Sequence, residues 1–181
     1  MVLKNSGRKQ EMQFQKRIYE QKFKKLLKEN LIVKSNAQFK IKLFLKKAES
    51  SFLIANHHKS QKENPEQIYW WQWGITISYY SMLYAAKAAI LQKGYEVKTH
   101  EAAEIALGNL LVPNKLELED LELLNQTHKL FEEEYITYFQ DARIESNTSR
   151  YQARPSYTEK RVTEILKNAK KFINKIDKIL N

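Results

Sequence analysis

The chain has no cysteine at all, and only four glycines and three prolines among its 181 residues. Without cysteine there is no disulfide framework, no thiol nucleophile and no thiolate-bound zinc. So few backbone breakers leave long uninterrupted segments, which favours helices over many short strands joined by turns. No apolar run approaches the roughly 18 residues that a membrane span requires, and none of signal-peptide length stands at the N-terminus. The expectation is a cytoplasmic chain with no membrane contact. A glycine-rich phosphate loop, a zinc-protease helix pair and a nucleophile elbow are also missing. The Glu-x-x-His spacing that a di-metal carboxylate bundle needs does not occur either. His57 and His58 are adjacent, so on a helix they point about 100° apart and cannot easily share one ion. No metal and no cofactor are expected.

What is present is enough for a core. Apolar residues make up 43% and aromatic residues 12% of the sequence. The net charge is +10, and it is unevenly placed. Residues 1–59 carry a balance of +11, residues 60–140 of −6 and residues 141–181 of +5. A basic end, an acidic middle and a basic tail suit a polyanion met by particular faces. Solvated helices from a lysine-rich composition explain the same numbers without any ligand.

Hydrophobic spacing supplies the elements. Arg8 to about Asn30 is basic and helix-favouring, with an incomplete stripe of Phe14, Ile18, Tyr19, Phe23, Leu26 and Leu27. It reads as a helical extension, residues 1–35, ahead of a domain at 36–181. The first core helix spans about Ala37 to His58, with Ile41, Phe44, Leu45, Ala48, Phe52 and Ala55 on one stripe. The second, about Glu66 to Lys93, places Trp71, Ile75, Ser78, Met82, Ala85 and Ala89 at alternating steps of four and three. Tyr80, Tyr84 and Leu91 give that helix a second apolar face, and Gly94 is a natural stop. Thr99 reads as the N-cap of a short helix from His100 to Leu111, which Pro113 ends. A third long helix covers about Leu116 to Asp141, and the last starts near Thr158 with Val162, Ile165, Ala169, Phe172, Ile176 and Ile179 as its seam. The expected fold is all-α: an antiparallel up-and-down four-helix bundle with one short inserted helix and the N-terminal helical extension.

Several residue groups are candidates for chemistry. His128 sits within an apolar seam, where a hydrogen-bonded core histidine is the commoner outcome. His100, one residue past a cap, is equally compatible with a structural or a functional role. Consecutive aromatics cannot all face one core, so some of Tyr69, Trp70 and Trp73 should be exposed or lie at an interface. Dimer packing and base stacking both use such rings. Arg143, Asn147, Arg150, Tyr151 and Arg154 cluster on or beside one loop, with Lys160 and Arg161 just beyond. Guanidinium groups grip phosphate through paired N–H donors, and these cations outnumber Asp141, Glu145 and Glu159 nearby. They form the leading ligand-binding site.

The stretch ISYYSMLYAAKAAILQKGYEVKTHEAAEIAL at 77–107 resembles the signature of the HEPN-domain family of small prokaryotic proteins. There a tyrosine pair precedes an alanine-rich helix, then glycine, then serine or threonine followed by histidine. Residues 41–55 and 150–176 resemble the family's first helix and closing segment. The resemblance implies a homodimeric helical bundle with RNA or a nucleotide as ligand. In some relatives it implies a metal-independent ribonuclease, and in others a nucleotidyltransferase partner within a toxin–antitoxin pair. The ribonuclease members use an arginine followed four to six positions later by a histidine. Here no histidine follows Arg143 at that distance, and Tyr151 stands where it is expected. The fold and ligand class are carried over, and the nuclease is kept as the alternative.

Overall fold

The computed structural model describes the backbone of residues 2–60, 67–130 and 158–181, and side chains from residue 14 onward within those segments apart from residues 67–69 and 72. Among the described residues the protein is all-α apart from one small ribbon. Helix α1 runs Val2–Lys28, α2 Lys40–Ser60, α3 Gln67–Gln92, α4 His100–Leu111 and α6 Glu159–Leu180, and α5 passes through residues 118–130. Strands β1 (Ile32–Lys34) and β2 (Tyr95–Val97) pair antiparallel, with Ile32 opposite Val97.

The ends of these elements follow from local chemistry. The chain leaves α1 through Asn30 at φ 57, a residue type tolerant of the left-handed region. It leaves α3 through Gly94 at φ 82, where the absent Cβ removes the steric penalty. The amide of Gly94 closes onto the Leu91 carbonyl at 2.9 Å. Thr99 caps α4, its hydroxyl accepting from the Ala102 amide at 3.1 Å. Thr158 does the same for α6 through the Arg161 amide at 3.3 Å. Each cap satisfies a donor that the first helical turn otherwise leaves open.

Helices α2 and α3 run antiparallel. Close to the start of α3, Gly74 lies against the Ala55 carbonyl. Further along, the buried Ser81 hydroxyl donates to the Ala48 carbonyl at 2.8 Å, and at the far end Gln38 donates to Leu91 at 2.9 Å. Helix α6 packs on both, and α4 packs on α3 and α1. The alanines at 85, 86, 88 and 89 are fully buried and let the neighbours of α3 approach closely. Phe172 and Ile176 of α6 are likewise fully buried, each removing enough apolar surface from water to contribute about 2–3 kcal/mol.

The ribbon was not visible in the sequence pattern. Its strands are three residues long, too short to show alternation, and they lie some sixty positions apart. Helix α1 and the strand after it join the same core: Phe23 and Leu26 of α1 and Ile32 of β1 are buried in the main cluster, although the surrounding segment is rich in lysine. Tyr19 of α1 lies flat over Gly108 of α4, where any Cβ would meet its ring.

Candidate functional site: an aromatic and imidazole cluster

The face of α3 that carries Tyr79 meets the first turn of α4. Tyr79 is 1% exposed, so its phenol cannot be satisfied by bulk water. Its hydroxyl is hydrogen-bonded to Nδ1 of His100. The two rings stack at 5.2 Å between centroids with 21° between planes. Because Thr99 fixes the start of α4, that cap also fixes the position of the His100 ring.

His128 of α5 closes the group. Its ring lies 4.9 Å from that of His100 and 5.0 Å from that of Tyr79. Tyr80 borders the outer side, edge-on to His100 at 6.2 Å. Both histidines and Tyr80 are half-buried. The paired imidazoles therefore sit in a partly desolvated wall of rings, where a hydrogen bond holds one of them in a fixed orientation.

A carboxylate completes the surroundings. Glu104 lies one turn beyond His100 on α4, and burial holds its carboxyl above the ordinary range. Lys22 of α1 and His128 pull in the opposite direction, Glu101 adds to the rise, and Lys129 opposes it. Tyr19 stands on the same seam, its phenol pushed up by burial and then by Glu104 and Glu122. Four helices thus bring a phenol pair, two imidazoles, a carboxylate and an ammonium to one region. Such a set can stack a planar ring and can hold or move a proton.

Among the described residues, no group of three or more His, Asp or Glu is placed to hold a metal ion. The described helices include none long and apolar enough to cross a membrane. The candidate residues Arg143, Asn147, Arg150, Tyr151 and Arg154 lie outside the described residues. Trp73 is 59% exposed, as the crowding of aromatics led one to expect for part of that run, while Trp70 is half-buried and stacks on His58 at 4.8 Å. Sequence reasoning weighed His100 and His128 singly and did not join them. Glu104 and Lys22 went unnoticed, since nothing in their spacing separates them from other solvated charges.

The HEPN domain family model matches residues 41–179, most of the chain. The protein belongs to the HEPN domain family. No protein of curated function matches it in sequence. The tyrosine pair, Gly94, Thr99 and His100, which carry the sequence resemblance, bring Tyr79, Tyr80 and His100 into one cluster in space. Residues 1–40, including all of α1, fall outside the match.

Proposed function

We propose that this HEPN protein binds RNA or a nucleotide at the Tyr79–His100–His128 cluster, acting as a homodimer. The observation that carries the reading is the imidazole pair, 4.9 Å apart and backed by a buried phenol, in a chain of net charge +10. A half-buried wall of rings offers a base a stacking surface, and cations elsewhere attract its phosphates. Arg143, Asn147, Arg150, Tyr151 and Arg154 are the phosphate-contacting residues of this proposal. Support for the homodimer comes from exposed Leu43, Leu53 and Ile54 of α2, from Phe39 in the turn before it, and from exposed Trp73. Aromatic and aliphatic side chains in such numbers are typical of surfaces that become covered.

The test is binding of a single-stranded oligoribonucleotide measured across a salt series. Phosphate contacts make affinity fall steeply as salt rises. His100→Ala and His128→Ala should each weaken binding about ten-fold or more, from the lost stacking surface. A salt-independent, millimolar response in the unaltered protein would remove the reading.

A ribonuclease without metal is the second reading, favoured by the same pair of imidazoles. One neutral imidazole can accept the proton of a ribose 2′-hydroxyl while another group protonates the leaving oxygen. Incubation with RNA in chelator would yield fragments, and a strand lacking the 2′-hydroxyl would be bound but left intact. Cleavage that survives both His100→Ala and His128→Ala would belong to a contaminant.

A further inference from the structure

Tyr80, Tyr84 and Lys87 follow one another on α3 at steps of four and three, so they share a face. They are half-buried, whereas Ser81, Met82, Leu83, Ala85 and Ala86 between them are buried. The antiparallel α2 lays Phe44 against Tyr84, with ring centroids 6.5 Å apart and planes 17° from parallel. One turn on, the Lys47 ammonium stands 5.4 Å from the centre of the Tyr84 ring. The strip that begins at the His100 contact of Tyr80 thus continues as rings and ends in cations.

The charges at that end do not balance. Burial first and then the neighbouring Lys47 charge favour the neutral amine of Lys87, and Glu96 of β2 opposes them. The Glu96 carboxylate is already engaged: the Ser35 hydroxyl donates to it, and Lys40 reaches both of its oxygens at 3.1 Å. Lys40 and Lys87 therefore share one carboxylate that is largely used, and Lys47 adds a third positive charge beside Lys87. Holding like charges together in a partly desolvated place is unfavourable until a counter-anion arrives.

We propose that Lys47 and Lys87, beside the Phe44–Tyr84 ring pair, form a phosphate subsite for the nucleotide next to the one held at His100. The proposal rests on the RNA-binding reading and adds a direction to it. Tyr80 touches the His100 ring, and Lys87 lies seven residues further along α3, about 10 Å at the helical rise. A mononucleotide at His100 does not span that distance, and a short oligonucleotide does. The subsite thus selects a polynucleotide strand, laid along α3, over a free nucleotide.

The experiment compares a short uridine oligoribonucleotide with uridine monophosphate over a potassium chloride series, read by fluorescence anisotropy and calorimetry. Lys47→Gln and Lys87→Gln should each flatten the slope of log affinity against log salt by about 0.7 for the oligonucleotide, the single-strand value for one lost contact. Both should leave the monophosphate unchanged, and Lys47→Arg should restore the slope. His100→Ala should weaken both ligands. An unchanged oligonucleotide slope in both glutamine variants overturns the subsite while the RNA reading stands. If the unaltered protein binds neither ligand, the RNA reading falls instead. Protection of Lys87 from reductive methylation by pyrophosphate, relative to exposed Lys93, would then still support an anion site, and absence of protection would overturn it.

Discussion

Replacing Gly108 by alanine should destabilise the protein, although glycine within a helix is ordinarily a weakness. Gly108 lies inside α4, where alanine is favoured by about 0.5–1 kcal/mol because it restricts the unfolded chain more. Against this, the new methyl carbon would stand 2.6 Å from the Tyr19 ring, where ordinary contact begins at 3.4 Å, a shortfall of about 0.8 Å. Three ring atoms are met within 2.7 Å, so a small tilt of the ring does not clear them all. The ring is anchored in α1, whose Phe23 and Leu26 are each only 5% exposed, so relief means shifting the helix. Overpacking of this kind costs about 1–3 kcal/mol. The expected net loss is about 1–2 kcal/mol, measured by chemical denaturation at unchanged slope. The decisive arm is the same substitution in a Tyr19→Ala background. With the ring gone, only the propensity gain remains, and Gly108→Ala should then stabilise by about 0.5–1 kcal/mol. Stabilisation in both backgrounds would refute the contact between α1 and α4.

Three further expectations concern charge and capping. Thr99→Ala should cost about 1 kcal/mol by removing the cap that accepts from Ala102, and should weaken RNA binding as His100 loses its fixed position; Thr99→Ser should retain both. The Glu96 carboxyl is held below its ordinary range, first by the Ser35 hydroxyl and then by Lys40, against opposing burial. A depressed carboxyl stabilises the fold above its unfolded value, so Glu96→Gln should lose up to about 1 kcal/mol at neutral pH, discounted because Lys40 and Glu96 are 35% and 30% exposed. That loss should vanish as pH falls below 4.5 through the depressed folded value, as denaturation at several pH values would show. Glu104 has the opposite sign: its raised carboxyl favours the folded state below 4.5 and loses that contribution as pH rises through the folded value. Glu104→Gln should therefore gain stability relative to the unaltered protein between acid and neutral pH, and a widening loss over that interval would contradict the burial.

Much of the helical frame could be read directly from residues. Thr158 begins α6 where a hydroxyl precedes a long apolar seam, and Val162, Ala169, Phe172 and Ile176 of that seam are fully buried. Thr99 and Leu111 bound α4 as its cap and Pro113 require. What stayed hidden depends on distance between segments. Ile32 pairs with Val97 through strands too short to declare themselves, and Phe23 and Leu26 are core residues in a segment whose composition signals solvent. The site was hidden for the same reason. His100 and His128 each look structural when taken alone, because one-dimensional spacing carries no information about two helices meeting. Only the family resemblance tied the tyrosine pair to His100, since both lie within one matched stretch.

Helix α4 connects these observations physically. His100, Glu104 and Gly108 fall at successive steps of four, so they occupy neighbouring positions along one side of the helix. The first meets the rings of Tyr79 and His128, the second feels Lys22 and His128, and the third receives Tyr19. Both Lys22 and Tyr19 belong to α1, which lies outside the family match. A short helix that is buried on most of its residues moves as a unit, so a displacement of α1 reaches His100 without any change to the ring cluster itself. The consequence separates two kinds of variant. Gly108→Ala should lower oligonucleotide affinity together with stability, and Tyr19→Ala in the same chain should restore the part of the affinity lost through displacement. His100→Ala should lower affinity in every background, because it removes the ring and not its placement. Affinity that ignores Gly108→Ala while stability falls would show that α1 is fastened to the core yet uncoupled from the site.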